Sequence, residues 1–529
     1  MAIANFGADH RPGRLMRIKV FWIAALVVMM MPASLAAQQA GIEQAVRTIT
    51  EADYIERVGI IAHDSMQGRD TPSEGLNKTA RWIASEFQRL GLRGGGDDGE
   101  YIQSYPLRTL IVDRNRSTLR GSSAGLAYGR DIIPLMGPPI DGEATGELVL
   151  VSGSANVSQG LANGVVRDKH AVVVFGEDEG TLNQSMFQRG IAVRNAGAAS
   201  VLLTTSMDQA IWDGNAAQVL APQVTRGWVE QVPTGGTFRP IMLLRNASLA
   251  ALLRGRDIDL DALRARESDE LRVDPGPEIT FTLTQVMDEA EIRAPNVVGI
   301  LEGSDPVLKD EYIVFSAHMD HVGIGSPDQN GDSIFNGADD DASGTVAVVE
   351  IAEAMAVLPE SPRRSMIFLL VSGEEKGLWG SEYYADHPSV PTEGIVANLN
   401  IDMVARNWTD TIVAIGKEHS DLGVTLERVN GQHPELGMTA IDDLWPEENF
   451  YRRSDHYNFA RKGVPVLFFF NGTHDDYHGR DDEVDRIDAE KAARVAKLIY
   501  YLGIEVGNAE ERPTWNPESY ARIVSDRSQ

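Results

Sequence analysis

Apolar residues recur along this chain in two different rhythms. From about residue 276 onward, short β-branched or aromatic runs alternate with longer segments of helical spacing. The runs 312–317, 365–371, 396–401, 411–415 and 464–470 read as strands, and 344–358, 381–386, 421–430 and 488–502 as helices. Such alternation predicts an α/β fold, a mostly parallel central sheet with helices on both faces. Between 126 and 275 the rhythm changes. Runs at 147–151, 171–175, 200–204 and 241–244 are bounded by turn residues, with a helical stretch at 185–195. This predicts a compact β-rich module with one or two helices. Ahead of it, 79–92 sets Ile83, Phe87 and Leu90 at helical spacing, and Gly91 with the run Gly94-Gly95-Gly96 ends the helix. No Gly-Lys-Ser/Thr follows that run, so it reads as a loop and not as a phosphate cradle. The tail 509–529 is polar, contains Pro513 and Pro517, and is expected to fray.

The first residues have a different character. Arg11, Arg14, Arg17 and Lys19 precede the apolar run 20–31, and Ser34-Leu35-Ala36 is a small-x-small site. This is the pattern of a signal peptide cleaved near Ala36, which sends the mature protein to the periplasm or the exterior of a bacterium. The run is short for a membrane span, so no stable membrane insertion is expected after cleavage. The expected division is therefore 1–36 signal peptide, 37–125 N-terminal part of the main domain, 126–275 insert, 276–508 main domain and 509–529 tail. A chain of 529 residues exceeds one ordinary core. It has no cysteine, hence no disulfide and no thiolate ligand. Its formal charge is −29, and loss of the four cations and Asp9 within 1–36 makes it still more acidic. That argues against a nucleic-acid partner. Nothing in the sequence speaks to oligomeric state.

The chemistry concentrates in short polar stretches. They are Ala317-His318-Met319-Asp320-His321, Gly337-Ala338-Asp339-Asp340-Asp341-Ala342-Ser343-Gly344, Ser372-Gly373-Glu374-Glu375-Lys376-Gly377, Asn400-Ile401-Asp402-Met403 and Asp476-Tyr477-His478. Histidines and carboxylates without thiols suit one or two zinc-like ions that activate a water, which is hydrolase chemistry. His318, Glu374, Glu375, Asp402 and His478 each follow a predicted strand. In open α/β sheets, ligands gather outside the carboxyl ends of the strands. Asp320 is placed to accept the second N–H of His318, or the two form a surface pair. His321 reads as a satisfied loop histidine. The triple aspartate needs a cation to relieve its repulsion, or it caps the following helix. Of Glu374 and Glu375, one can bind metal while the other takes a proton, or both lie on a solvated turn. The 126–275 module has no histidine after His170, which precedes a strand and reads as a surface or edge residue. That module is a poor place for a metal.

Taken in order, His318 to Gly323, Asn336 to Gly344, Gly373 to Ser381, Asn400 to Met403, Ser454-Asp455-His456 and Tyr477-His478 resemble the M28 family of zinc peptidases. The resemblance covers about 285–505, with the helix and loop at 79–106. It implies a phosphorylase/hydrolase-like three-layer α/β/α fold and two Zn2+, with Co2+ or Mn2+ as substitutes. It implies that His318 and Asp402 bind one ion, Glu375 and His478 the other, and that Asp340 bridges them. It makes Glu374 the general base and Asp320 the partner of His318, with Arg453 as a substrate contact. The 126–275 module resembles in layout the protease-associated domain inserted in such peptidases, which shapes access and is not catalytic. The activity implied is that of an aminopeptidase acting on peptide substrates, whose free amine is drawn to an acidic, metal-bearing pocket. Alternatives are a carboxypeptidase using Arg453 or Arg406 for the substrate carboxylate, a glutaminyl cyclase with one zinc, or a non-catalytic peptide-binding member.

Overall fold

The computed structural model describes residues 38–525 apart from 123, 137–140, 154–160, 162–163, 176–183, 230–237 and 267–270. The expected signal peptide lies outside the described residues. The chain divides into two compact units, one formed by the chain up to Tyr105 and from Arg293 onward, the other by Pro106–Ile292.

The first unit is built on a sheet in which Thr439–Ile441, Thr411–Ile415, Val466–Phe469, Ile395–Ile401, Tyr312–His318 and Ser365–Val371 lie side by side, followed by the end of Met287–Leu301. Tyr312–His318 runs parallel to both neighbours, and Ile395–Ile401 runs parallel to Val466–Phe469. Thr411–Ile415 and Met287–Leu301 meet their inner neighbours antiparallel. The inner strands are buried along almost their whole length, which is why they appear in the sequence as continuous apolar runs and not as alternations. Successive side chains serve two separate cores. Ile313, Phe315 and Ala317 pack with helices Glu51–Ile61, Glu74–Arg89, Gly344–Ala356 and Ala489–Asn508, whereas Val314 packs with Tyr384 and Phe459 from Trp379–Asp386 and His456–Ala460. Helix Gly344–Ala356 approaches the sheet so closely that a Cβ at Gly344 would lie 2.2 Å from the carbonyl oxygen of Ile401. Only glycine permits that approach.

The tail does not fray within its described part. Pro517–Tyr520 forms a short helix capped by Asn516, and the indole N–H of Trp515 donates to the Gly463 carbonyl at 2.8 Å. Ser519 meets His419 at 3.1 Å, and Ile523 is buried. A few apolar anchors in a polar stretch hold it down, which overall polarity hides. Among the described residues no helix is long and apolar enough to cross a membrane.

The second unit holds a sheet in the order Gly125–Ala127, Thr118–Gly121, Arg272–Gln285, Gly142–Ser152, His170–Val173, Ser200–Thr205, Ile241–Arg245, Ile132–Met136. Four of these, Gly142–Ser152 through Ile241–Arg245, are parallel in succession. The unit is wider than 126–275 because Arg272–Gln285 zips along both Gly142–Ser152 and Thr118–Gly121. Its described part has four helices, Gln184–Asn195, Gln209–Val219, Asn246–Leu252 and Leu260–Arg264, more than expected. In Gln209–Val219 only Trp212 and Ala216 are buried, so the apolar period is too sparse to read. His170 is a core residue, not a surface one. It is fully buried, with Nδ1 at 2.8 Å from Ser200 Oγ and Nε2 at 2.9 Å from the Phe281 carbonyl.

Candidate metal centre

Parallel strand ends deliver most of the chemistry. His318 is the last residue of Tyr312–His318, Asp402 follows Ile395–Ile401, and Glu374 with Glu375 follows Ser365–Val371 after Ser372 and Gly373. Asp340 sits in the irregular turn Ala338–Ser343 that leads into Gly344–Ala356, and His478 in the loop beyond Val466–Phe469. His318, Asp340, Glu374, Asp402, His478 and Arg453 all line one cavity of about 40 Å³. That is room for ions and a few waters.

The distances divide these residues into two groups that share Asp340. His318 Nε2 lies 3.3 Å from Asp340 Oδ1 and 3.6 Å from Asp402 Oδ1. His478 Nε2 lies 3.2 Å from Asp340 Oδ2 and 3.1 Å from Glu375 Oε2. Asp340 therefore turns one oxygen to each side. Among the described residues, the clusters able to hold a metal are His318–Asp340–Asp402 and His321–Asp340–Glu375, both in the first unit. Asp340 Oδ2 and Glu375 Oε1 are buried without any hydrogen-bond partner, an arrangement costly for carboxylates unless a cation lies between them.

The electrostatics agree. Burial pulls His478 down, but Asp340 and Glu375 override it and push its pKa up to about 10. Burial also opposes charge on His318, yet Asp402, Asp320 and Asp340 hold it well above the usual imidazole range. Burial raises Asp340, but His321, His318 and His478 keep its carboxyl well below the usual value. The carboxylates demand positive charge at this spot. A divalent cation would supply it and release the imidazole nitrogens to coordinate. A donor set of imidazole nitrogen and carboxylate oxygen suits a zinc-like ion.

Asp320 stands beside His318 in two ways. Its carboxylate Oδ1 is 3.7 Å from His318 Nδ1, whereas its own carbonyl oxygen is 3.2 Å from that nitrogen. The carbonyl thus sets the ring, turning Nε2 to the cavity. The Asp320 carboxylate accepts instead from Thr71 Oγ1 at 3.0 Å and from the Glu374 N–H at 3.3 Å, so it ties the Glu374 loop to the His318 strand. Arg453 is half-exposed, stacked over Phe450 at 4.7 Å, with Nη1 3.6 Å from Glu448. Arg406 is paired with Asp476 at 2.7 Å.

Several residues that hold the site together have roles that the motifs do not reveal, and two of them, Asp482 and Arg69, lie outside any motif. The aspartate triplet splits by role. Asp341 accepts from the backbone N–H groups of His318, Gly344 and Met403, at 3.2, 2.8 and 3.1 Å, which joins three ligand-bearing segments. Asp339 accepts from Ala405 N–H at 2.8 Å, and Asp482 accepts from the N–H groups of Asp339 and Asp340. Ser454 donates to Asp402 Oδ2 at 2.9 Å and fixes that ligand. Arg69, fully buried, donates to the carbonyls of Ile61, Met319, Asn336 and Gly337. His321 is not a satisfied loop histidine either. It is fully buried and neither ring nitrogen has a hydrogen-bond partner.

Residues 296–503 match the family model described as Peptidase family M28. The chain is similar to Aminopeptidase YwaD of Bacillus subtilis (strain 168), 24% identical over 272 residues, which are 49% of this chain and 54% of that protein. It is also similar to a probable zinc metalloprotease of Leptosphaeria maculans, 26% identical over 246 residues, 39% of this chain and 56% of the other. The chain spans about half the length of these curated relatives. Among solved structures, the aminopeptidase from Aneurinibacillus sp. strain AM-1 is matched with a TM-score of 0.48 at 18% identity, over 90% of this chain and 98% of that one.

Proposed function

Taking residues 296–503 as an M28 peptidase segment, we propose that the protein is an exported aminopeptidase that holds two zinc ions and hydrolyses the N-terminal peptide bond of its substrates. The observation that carries this reading is the sharing of Asp340 between two nitrogen–carboxylate groups beside one cavity, with Glu374 on its wall. His318 and Asp402 would hold one ion, Glu375 and His478 the other, with Asp340 between them. The ions would supply Lewis acidity toward the scissile carbonyl and lower the pKa of water.

The chain's own residues do the rest. Glu374 faces the cavity without being needed in either group. Its carboxylate takes the proton of the attacking water and passes it to the leaving amine. Burial raises its proton affinity, and Asp455, Asp402 and Glu375 raise it further against the pull of His318, which suits a group that must first accept and then donate. The carbonyl of Asp320 fixes the His318 ring, and Ser454 fixes Asp402. The surrounding carboxylates favour a substrate's free amine. Of the two arginines considered for a substrate carboxylate, Arg406 is already committed to Asp476, which weighs against a carboxypeptidase. The family's three-layer fold is part of this proposal, supported by the two cores that flank the sheet. A non-catalytic, access-shaping role for the second unit is also part of it.

Purified protein is expected to contain close to two zinc-like ions per chain, to lose activity to a chelator, and to release the chromophore from an unblocked aminoacyl anilide. Elemental analysis that found one ion or none in fully active protein would sink the dinuclear part. Cleavage of an N-blocked peptide from its free C-terminus, without turnover of the anilide, would replace the aminopeptidase by a carboxypeptidase.

A further inference from the structure

We infer that His474 is a positioning residue for the metal centre: its ring ties the loop that carries His478 to Asp339, the neighbour of Asp340, and so sets the spacing of these two ligands. The inference rests on the metal-binding reading above and deepens it.

His474 and Asp339 meet in the interior. Their side chains are 4% and 0% exposed, and His474 Nε2 lies 3.3 Å from Asp339 Oδ2. Neither atom has a hydrogen-bond partner elsewhere. A buried carboxylate oxygen without a donor is costly. With its proton at Nε2, the imidazole supplies that donor. The chemistry proposed above uses neither group.

Asp339 is the hub through which the contact acts. Its other oxygen, Oδ1, accepts from the Ala405 N–H at 2.8 Å and lies 3.1 Å from Ser343 Oγ, which itself accepts from the Val404 N–H at 3.1 Å. One side of the carboxylate therefore holds the chain just beyond Asp402, and the other reaches the His478 loop. Asp339 is joined by a peptide bond to Asp340, so a shift of its side chain passes directly to the shared ligand.

The His478 loop needs such a tie. His478 has φ of +53°, which a residue other than glycine keeps only when its surroundings impose it. The His474 carbonyl accepts from the Tyr477 N–H at 3.0 Å and closes the turn that leads into His478. Beyond His478, Asp482 accepts from the N–H groups of Asp339 at 3.0 Å and Asp340 at 3.1 Å. The loop thus touches the aspartate turn at His474 before the ligand and at Asp482 after it. Arg406 with Asp476, at 2.7 Å, and Asn407 Nδ2 with the Asn471 carbonyl, at 2.6 Å, pin the loop to the segment after Asp402 instead. Of these ties, His474 is the one that fixes the approach to His478 against the turn bearing Asp340. The spacing at stake is the 3.2 Å between His478 Nε2 and Asp340 Oδ2.

The test measures zinc affinity and stability separately on the full chain, by calorimetric titration of the metal-stripped protein and by its urea midpoint. His474→Phe keeps the bulk of the ring and removes the donor. It should weaken one of the two zinc ions by about 10–100-fold. His474→Gln, whose amide nitrogen falls near the place of Nε2, should bind zinc within a few-fold of wild type. In Asp339→Ala the contact is already gone, so adding His474→Phe should cost little further affinity. A lowered urea midpoint in His474→Phe, with both zinc ions bound as in wild type, would overturn the inference and leave the metal reading intact. Equal losses in the Phe and Gln variants, or full additivity with Asp339→Ala, would also overturn it. Wild-type protein that bound no zinc would overturn the metal reading, and this inference with it. Should His474→Phe fail to fold, the wild-type protein decides. With its histidines labelled by a spin-active nitrogen isotope and assigned by difference from His474→Gln, the His474 ring should carry its proton at Nε2, and a bare Nε2 would overturn the inference.

Discussion

Glu374→Gln is expected to lower kcat by roughly 10²–10⁴-fold while the protein keeps its metal. Glutamine preserves the shape of the side chain and removes its ability to accept a proton. The Glu374 N–H that donates to Asp320 is on the backbone and is unaffected, so the loop should stay in place. Glu375→Gln is expected to do the opposite first. It takes one charge from a carboxylate whose two oxygens lie 2.9 and 3.1 Å from His321 and His478, so an ion should be held more weakly before any loss of rate per loaded molecule appears. The two variants are compared by elemental analysis and by kcat at saturating substrate, with activity expressed per bound ion. An exchange of phenotypes would reverse the roles within the pair. Full activity in Glu374→Gln would remove the general base from the mechanism altogether.

The sequence exposed the parts of this site that end strands and obscured the parts that join them. His318, Asp402 and the Glu374–Glu375 pair are legible because a buried parallel strand appears as an apolar run, and its carboxyl end is the expected edge for ligands. The runs 365–371 and 411–415 coincide with the strands Ser365–Val371 and Thr411–Ile415 for the same reason. The joining groups act through backbone atoms, and nothing in a sequence says which backbone a side chain will reach. Asp341 and Asp339 are indistinguishable from Asp340 by composition, yet they accept main-chain N–H groups from segments 23 to 66 positions away. His321 reads as satisfied in the sequence because its local context, a polar turn after a strand, offers hydrogen-bond partners that its buried ring nitrogens do not have in the folded chain. Helices with sparse apolar faces in the second unit, and the polar tail of the first unit pinned by Trp515 and Ile523, leave no such trace, because their anchors do not form a period.

Arg69 is the strongest case of a residue without a motif, and Arg69→Met is expected to cost about 3–5 kcal/mol of stability. The guanidinium is fully buried and donates along separate directions, Nε to Met319 at 2.9 Å, Nη1 to Ile61 at 3.1 Å and to Asn336 at 2.6 Å, and Nη2 to Gly337 at 2.9 Å. All four acceptors are carbonyls, and three of them belong to the segments that bear His318, His321 and Asp340. Methionine fills much of the volume and leaves the carbonyls of Ile61, Met319 and Asn336 without the guanidinium, at roughly 1–3 kcal/mol each before relaxation or entry of water, while the Gly337 carbonyl keeps the N–H of Ala342 at 3.3 Å. Against a total stability of about 5–15 kcal/mol the loss is large. The carbonyl of Arg69 also anchors the His321 N–H, so the damage should reach the metal. Arg69→Lys should fall between, since one ammonium on a flexible stem cannot reproduce a planar fork that serves four acceptors. Urea midpoints, read at unchanged slope, measure the stability of metal-stripped protein. Titration with zinc then measures affinity separately. A stability within about 1 kcal/mol of wild type in Arg69→Met would mean that water replaces the guanidinium at little cost. Unchanged zinc affinity in the same variant would mean that the ligand segments do not depend on this clamp for their spacing, and that Asp341 and Asp482 are sufficient to hold it.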